Sequence, residues 1–289
     1  MNQAHPHALH ATQHGRPQQH DTAGQAEILD LDAEVLAEHT ASITAWLPLK
    51  TAPRRIVDLG CGTGAGTFAL LDRFPDAQVT AVDASTGYLK HLQARACARG
   101  LVERVRTVQA DLDDSAWPDL GSPDLVWASA SMHHIGDPDR ALRNVHDALA
   151  PGGLFAVVEL AGFPRFLPEG GPAERPGLEE RCHAATDRFQ AEHMPHRGAD
   201  WGPMLTAAGF AVEGKRTIAV NIDGSRNEAI GRYALNGLQR IRSAAATELS
   251  PEDLTALDEF LDTRGPRSIL RRDDLALRTE RVVWAARRS

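Results

Sequence analysis

Between residues 54 and 160 short apolar runs alternate with helical stretches, and this alternation constrains the chain more than any other feature. Runs of strand length fall at 55–59, 78–82, 105–109, 125–128 and 154–160. Helical stretches with readable ends lie between them. Ser85 is placed to cap a helix carrying Leu89, Leu92 and Ala96, which Gly100 stops. Asp137-Pro138 opens another, with Leu142, Val145 and Leu149 on one face and Pro151-Gly152-Gly153 beyond it. Strands alternating with helices in this way are the mark of a parallel sheet, and five strand–helix units are expected.

The flanks read differently. Residues 1–24 hold His5, His7, His10, His14 and His20 among Gln, Pro and Gly, with too little apolar surface to order a chain, so a mobile tail is expected. Residues 25–53 form an N-terminal helical segment, with Val35, Leu36, His39, Ile43, Trp46 and Leu47 at helical spacing. After the core at 54–160 comes an insertion at 161–198, rich in Pro, Gly, His and charge. The remainder, 199–289, holds a helix at 199–209, a sixth strand at 211–220, a helical insertion at 221–275 and a last strand over 281–285. The architecture expected is a doubly wound, mostly parallel seven-stranded α/β sheet with helical lid insertions. Phe163, Phe166, Trp201, Tyr233 and Leu238 are the apolar residues expected to line the space under the lids.

Composition removes several classes. A net charge of −8 over 289 residues argues against a nucleic-acid partner, whose phosphates call for a basic face. A hydrophobic fraction of 42% is enough for a packed core. No apolar run approaches the roughly twenty residues that cross a bilayer, and no signal-like apolar stretch opens the chain. Three cysteines (Cys61, Cys97 and Cys182) form no CxxC pair. The expectation is a cytoplasmic protein with a small-molecule substrate, no nucleic acid and no membrane; a homodimer is left open. His183, His193 and His196, with Asp187 and Asp200, match no metal-ligand spacing, so no metal is expected.

Val57-Asp58-Leu59-Gly60-Cys61-Gly62-Thr63-Gly64 sits where the first strand turns into a helix. Glycines there permit positive φ and close approach to a ligand, and the helix N-terminus offers unpaired N–H groups. Gly60-x-Gly62-x-x-Ala65, with Asp83 downstream, also fits a dinucleotide site. Asp58 weighs against that reading, since a carboxylate sits badly beside a pyrophosphate and well beside an ammonium. Asp111 follows the third strand at the same sheet edge. Three carboxylates around one crevice suit a ligand carrying positive charge.

In order and spacing, Asp58–Gly64, Ala81-Val-Asp83-Ala-Ser85, Ala110-Asp111-Leu112 and Ala150-Pro-Gly-Gly153 resemble the motifs of class I S-adenosylmethionine-dependent methyltransferases. The resemblance runs from Arg54 to Leu160 and implies a Rossmann-like methyltransferase fold with an antiparallel last strand. It implies that Asp58 and the loop Gly60, Cys61, Gly62 and Gly64 hold the methionine portion of S-adenosylmethionine. Asp83, with Ala84 beside it, would accept the ribose hydroxyls. Asp111 and the backbone of Leu112 would meet adenine, and Ser129 completes the set. Cys61 reads otherwise as a small residue filling the loop.

The catalytic candidates follow strands four and five. His133 or His134, in Ser129-Ala-Ser-Met-His-His-Ile135, could take a proton from an acceptor, because imidazole titrates near neutrality. Glu159 is the third candidate, although it reads more readily as a structural carboxylate held by neighbouring backbone. The function expected is methyl transfer from S-adenosylmethionine to oxygen, nitrogen or carbon of a small molecule. Many Arg, few Lys and abundant Ala, Gly and Pro associate the chain with specialised metabolism. A nicotinamide-dependent oxidoreductase and a non-catalytic donor-binding protein stay open as rivals.

Overall fold

The computed structural model describes residues 22–194 and 196–289; the histidines of the N-terminal tract lie outside them. Seven strands form one sheet in the order β3-β2-β1-β4-β5-β7-β6. They are β1 (Arg55–Leu59), β2 (Gln78–Asp83), β3 (Val105–Gln109), β4 (Leu125–Ser129), β5 (Leu154–Leu160), β6 (Phe210–Asp223) and β7 (Ala276–Arg288). The first five are mutually parallel. β7 runs antiparallel to β5 and to β6, so β6 points the same way as the first five. Chain order reverses between β1 and β4, and the carboxyl ends of the strands there open the crevice where ligands of such sheets lie.

The central strands are apolar throughout because both faces are covered. On one face Ile56, Val79, Leu125, Trp127, Ala156 and Val283 pack under α2 (Ala37–Trp46) and α3 (Ala65–Arg73). α4 (Thr86–Ala98) covers Ala81 beside them through Leu89, Leu92 and Ala96. On the other face Val57, Leu59, Val126, Phe155, Val157 and Trp284 meet α5 (Pro138–Ala148) and α7 (Trp201–Ala207). The helix starts read from sequence are in place. The Ser85 hydroxyl accepts from the N–H of Tyr88, and the Asp137 carboxylate accepts from that of Arg140. Each such cap is worth about 1 kcal/mol.

A separate apolar cluster lies beyond the carboxyl edge. It joins α1 (Thr22–Val35), α6 (Leu178–His193), α8 (Ala229–Ala244) and α9 (Pro251–Leu261) around Phe166, Tyr233, Leu238 and Leu257. Asp253 of α9, itself buried, binds the guanidinium groups of Arg175 and Arg181 and ties the two insertions together.

Several details differ from the sequence reading. The β3–β4 connection is a loop with no α-helix, so the fifth strand–helix unit expected there is absent. A groove of about 330 Å³ opens beside it at the amino-terminal edge of the sheet, lined by Arg55, Gln78, Arg104 and Leu120, away from the glycine loop. α6 lies within 161–198, a lid insertion for which the sequence reading gave no helix bounds. Helix α1 begins at Thr22, inside the stretch read as tail. The last two strands are longer than expected. β6 is a mostly exposed edge strand bearing Lys215 and Arg216, with a bulge between Val212 and Gly214. A side chain at Gly214 would stand 2.9 Å from the Trp46 ring, which explains the glycine. Trp201 does not line the lid: it is fully buried with Leu205, Phe210 and Trp284 on the far face of the sheet.

Candidate active site

β1 delivers the chain into a turn in which Gly60, Gly62 and Gly64 all hold positive φ, of 65°, 52° and 95°. Side chains are strained in that region, which accounts for the glycines. The N–H of Cys61 reaches back to the Val82 carbonyl at 3.0 Å, and Gly64 caps α3. Asp83, at the end of β2, fixes the turn from the side. One of its oxygens accepts the Gly62 N–H at 2.9 Å and the other the Ser85 N–H at 2.8 Å. Burial raises its pKa, and these two bonds oppose the rise. A carboxylate has about four acceptor positions, so both oxygens can still accept from a ligand.

Asp58 points elsewhere. It shares a sheet face with Ile56 and Trp127 and lies buried beneath α3, where it accepts the Thr67 hydroxyl at 2.6 Å. Burial pushes its pKa up to about 7; the Thr67 bonds oppose this and the charge of Asp83 adds to it. Cys61 is buried among the α4 contacts, and burial pushes its thiol far up, out of the reactive range. Thr63, also buried in the loop, has a hydroxyl with no hydrogen-bond partner among the described residues. Ala84 follows Asp83 directly and its carbonyl accepts from the Gln109 amide. Asp111 is exposed at the end of β3 and accepts the Asp113 N–H, while the Leu112 carbonyl accepts the Trp117 indole N–H at 3.1 Å.

β4 ends at Ser129, and the next residue, Ala130, holds φ of 51°, uncommon for a residue with a side chain. That turn sends the Ser131 hydroxyl to the Leu59 carbonyl at 2.8 Å, against Gly60, where any side chain would overlap it. It also begins a single 3-10 turn holding Met132, His133 and His134. Glu159 of β5 grips that turn with both oxygens, accepting the Met132 N–H at 2.8 Å and meeting His133 Nδ1 at 2.6 Å. Glu159 and His133 are both buried. The rings of His133 and His134 lie 4.1 Å apart. His134 is the exposed member, and its ring nitrogens have no partner among the described residues. Crowding by the surrounding protein, together with His133 and Arg240, pushes its pKa down to about 4, against an opposing pull from Glu159.

The sequence reading gave the helical segment at 25–53 no part in the site, yet α1 belongs to it. It crosses the glycine loop with Leu29 placed 3.2 Å from where a Gly62 side chain would begin. Asp30 holds His91 and Arg95, each at 2.8 Å, and Arg95 also reaches the Thr63 carbonyl at 3.0 Å. Gln25 accepts from Tyr88 at 2.7 Å. On its other side Asp32 accepts the Tyr233 hydroxyl at 2.5 Å and Arg281 at 2.9 Å. Ile28, Leu31 and Val35, at i, i+3 and i+7, form the stripe by which it packs into the cluster around Tyr233 and Leu238.

With this geometry in place, comparison with known proteins bears on the sheet-forming part of the chain. Residues 57–155 match the model of a methyltransferase domain. Over these residues the chain carries a methyltransferase domain. Its seven-stranded, mostly parallel sheet and antiparallel last strand are those the sequence reading expected. A trans-aconitate 2-methyltransferase from Acidovorax sp. is 42% identical over 106 residues, covering 37% of this chain and 38% of that protein. The match thus spans about two fifths of the curated relative. Phosphoethanolamine N-methyltransferase 2 of Haemonchus contortus, solved with S-adenosyl-L-methionine, superposes with a TM-score of 0.52 at 16% identity. That match covers 93% of this chain and 58% of the nematode protein. The cyclase SpnF superposes with a TM-score of 0.50 at 20% identity over 87% of this chain and 81% of its own. The methyltransferase fold is therefore shared with a protein named for a different reaction, and function must be argued from the site. No helix among the described residues is long and apolar enough to cross a membrane.

Proposed function

We propose that this chain transfers a methyl group from S-adenosylmethionine to a small-molecule acceptor, at the crevice between the glycine loop and the His133-His134 turn. The observation that carries the reading is the convergence of the positive-φ glycine loop, Asp83 and the Glu159–His133–His134 cluster at one sheet edge, inside the matched domain and its flank. When bound, the donor supplies an activated methyl, whose bond to sulfur breaks as the acceptor's lone pair bonds to carbon.

The residues present fit such a donor. Asp83 has acceptor capacity to spare for ribose hydroxyls, and Ala84 beside it leaves that edge uncrowded. The Gly60–Gly64 loop, with Cys61 filling its inner side and the unpartnered Thr63 hydroxyl within it, would hold the methionine portion. Asp58, beneath the loop, favours an ammonium above it through its charge rather than by contact. Asp111 and Leu112 would flank adenine, and Ser129 would close the inner wall. This set supports the donor reading over a nicotinamide one.

His134 is the group proposed to face the acceptor. Uncharged at neutral pH, it can accept a hydrogen bond or a proton there. His133 and Glu159 are positioning residues, which fix the turn that carries it. Much of the rate comes from alignment and the exclusion of water, which α1 and the insertions can provide. The test is mass spectrometry of the purified protein incubated with methyl-labelled donor and a small-molecule extract. The reading expects a labelled product that disappears when S-adenosylhomocysteine is added in excess. Donor binding without any labelled product would leave a non-catalytic binding protein instead.

A further inference from the structure

Asp113, on the loop after β3, and Gly136, just past the His133-His134 turn, lie 23 positions apart and are bonded directly. One Asp113 oxygen accepts the Gly136 N–H at 2.8 Å and the Asp137 N–H at 3.4 Å. The guanidinium of Arg140, on the first turn of α5, returns a bond to the Asp113 carbonyl at 2.6 Å. Asp113 is in turn fixed by Asp111, whose carboxylate accepts its N–H at 2.9 Å. The Leu112 carbonyl between them is held by the Trp117 indole at 3.1 Å. The other end of the same turn is anchored at the glycine loop, where Ser131 bonds the Leu59 carbonyl at 2.8 Å against Gly60. Residues 131–136 therefore form a short strap, clasped at one end to the end of β1 and at the other to the loop of Asp111 and Leu112. Glu159 grips Met132 and His133 in its first half, and the Asp113 bonds fix its second half just beyond His134.

We propose that Asp113 is a positioning residue, which couples occupancy of the adenine end of the donor site to the placement of His134. A ligand resting on Asp111 and Leu112 restricts the segment from which Asp113 extends. Asp113 passes that restriction to Gly136 and Asp137, and so to the turn. Its bonds suit the task, because an N–H held by a carboxylate is bound more strongly than one held by a neutral acceptor. Ordering done by the first ligand need not be repeated for the second, so donor and acceptor favour each other through this clasp. The inference rests on the placement of adenine and of His134 in the proposed function.

Hydrogen exchange read by mass spectrometry on the full-length protein tests the coupling. The probe is adenosine, which carries ribose and adenine but no amino-acid chain to touch the turn. At saturation it should slow exchange at 132–137 in the wild type at least about fivefold. Asp113→Asn keeps an oxygen for the Gly136 N–H and should retain that slowing. Asp113→Ala should show less than about twofold at 132–137 while adenosine still protects 110–112. A merely structural Asp113 would alter exchange in the free protein and leave the response to adenosine intact. Undiminished protection of the β1–β5 amides shows each variant to be folded. No response of the turn in the wild type, equal slowing in Asp113→Ala, or loss of the response in Asp113→Asn overturns the proposal. Calorimetry of S-adenosylhomocysteine on the same samples separates the two readings. Donor binding without transmission to the turn defeats only this inference, whereas a wild-type protein that does not bind S-adenosylhomocysteine defeats the proposed function and this inference with it.

Discussion

Asp58→Asn should stabilise the protein at neutral pH, although it removes a residue of the donor motif. The side chain is almost wholly buried and its carboxyl is raised from 3.8 to about 7. Each tenfold change in proton affinity is worth about 1.4 kcal/mol, so holding this carboxylate ionised in the fold costs about 4 kcal/mol. The sign follows from linkage. A carboxyl whose folded pKa lies above its unfolded value binds its proton more tightly in the fold. Its contribution is most favourable below about pH 4 and is lost as pH rises through about 7. Asparagine keeps an oxygen for the Thr67 hydroxyl and has no such dependence. Urea unfolding of both proteins at pH 4, 6 and 8 measures the difference. The variant should match the wild type near pH 4 and exceed it by up to about 4 kcal/mol at pH 8. A difference that stayed flat across this range, or a less stable variant at pH 8, would refute the argument that burial without a cationic partner governs Asp58.

Two further outcomes test the supports of the site. Glu159→Ala leaves the Met132 N–H and the His133 ring nitrogen buried without partners, at about 1–3 kcal/mol each. Denaturant midpoints should therefore fall by at least about 2 kcal/mol in stability, and a loss under about 0.5 kcal/mol would show the turn to be held by other contacts. Asp32→Ala strands the buried Tyr233 hydroxyl and takes the ion-pair partner from buried Arg281, so hydrogen exchange across α1 should accelerate at least tenfold while the β1–β5 amides keep their protection. Uniform acceleration over the whole chain would mean that α1 does not open on its own.

The parallel core was readable because its signals are local. Each central strand is a short apolar run, and Ser85, Gly100 and Asp137-Pro138 mark helix ends within a few residues of themselves. β6 was under-read because most of its residues face solvent and its register comes from β7, more than fifty residues away. The bounds of α6 were not readable because Leu178 and Cys182, its fully buried apolar residues, sit among charged ones and pack against an insertion rather than the sheet. The site divided along the same line. The glycine loop and Asp83 announce themselves in a few residues, whereas the grip of Glu159 on His133 joins positions 26 apart and exists only once β4 and β5 are paired. Asp58 could be seen to share a face with Ile56, but not that α3 would close over it.

The central claim is that the glycine loop and Asp83 form the donor site, and titration calorimetry tests it most directly. S-adenosylhomocysteine should bind the wild-type protein, NAD should not, and Asp83→Ala should weaken the interaction at least tenfold through loss of charge-assisted bonds to the ribose. Because Asp83 also anchors the Gly62 and Ser85 N–H groups, circular dichroism must show the variant folded. Unchanged affinity in folded Asp83→Ala, or binding of NAD in place of S-adenosylhomocysteine, would contradict the account.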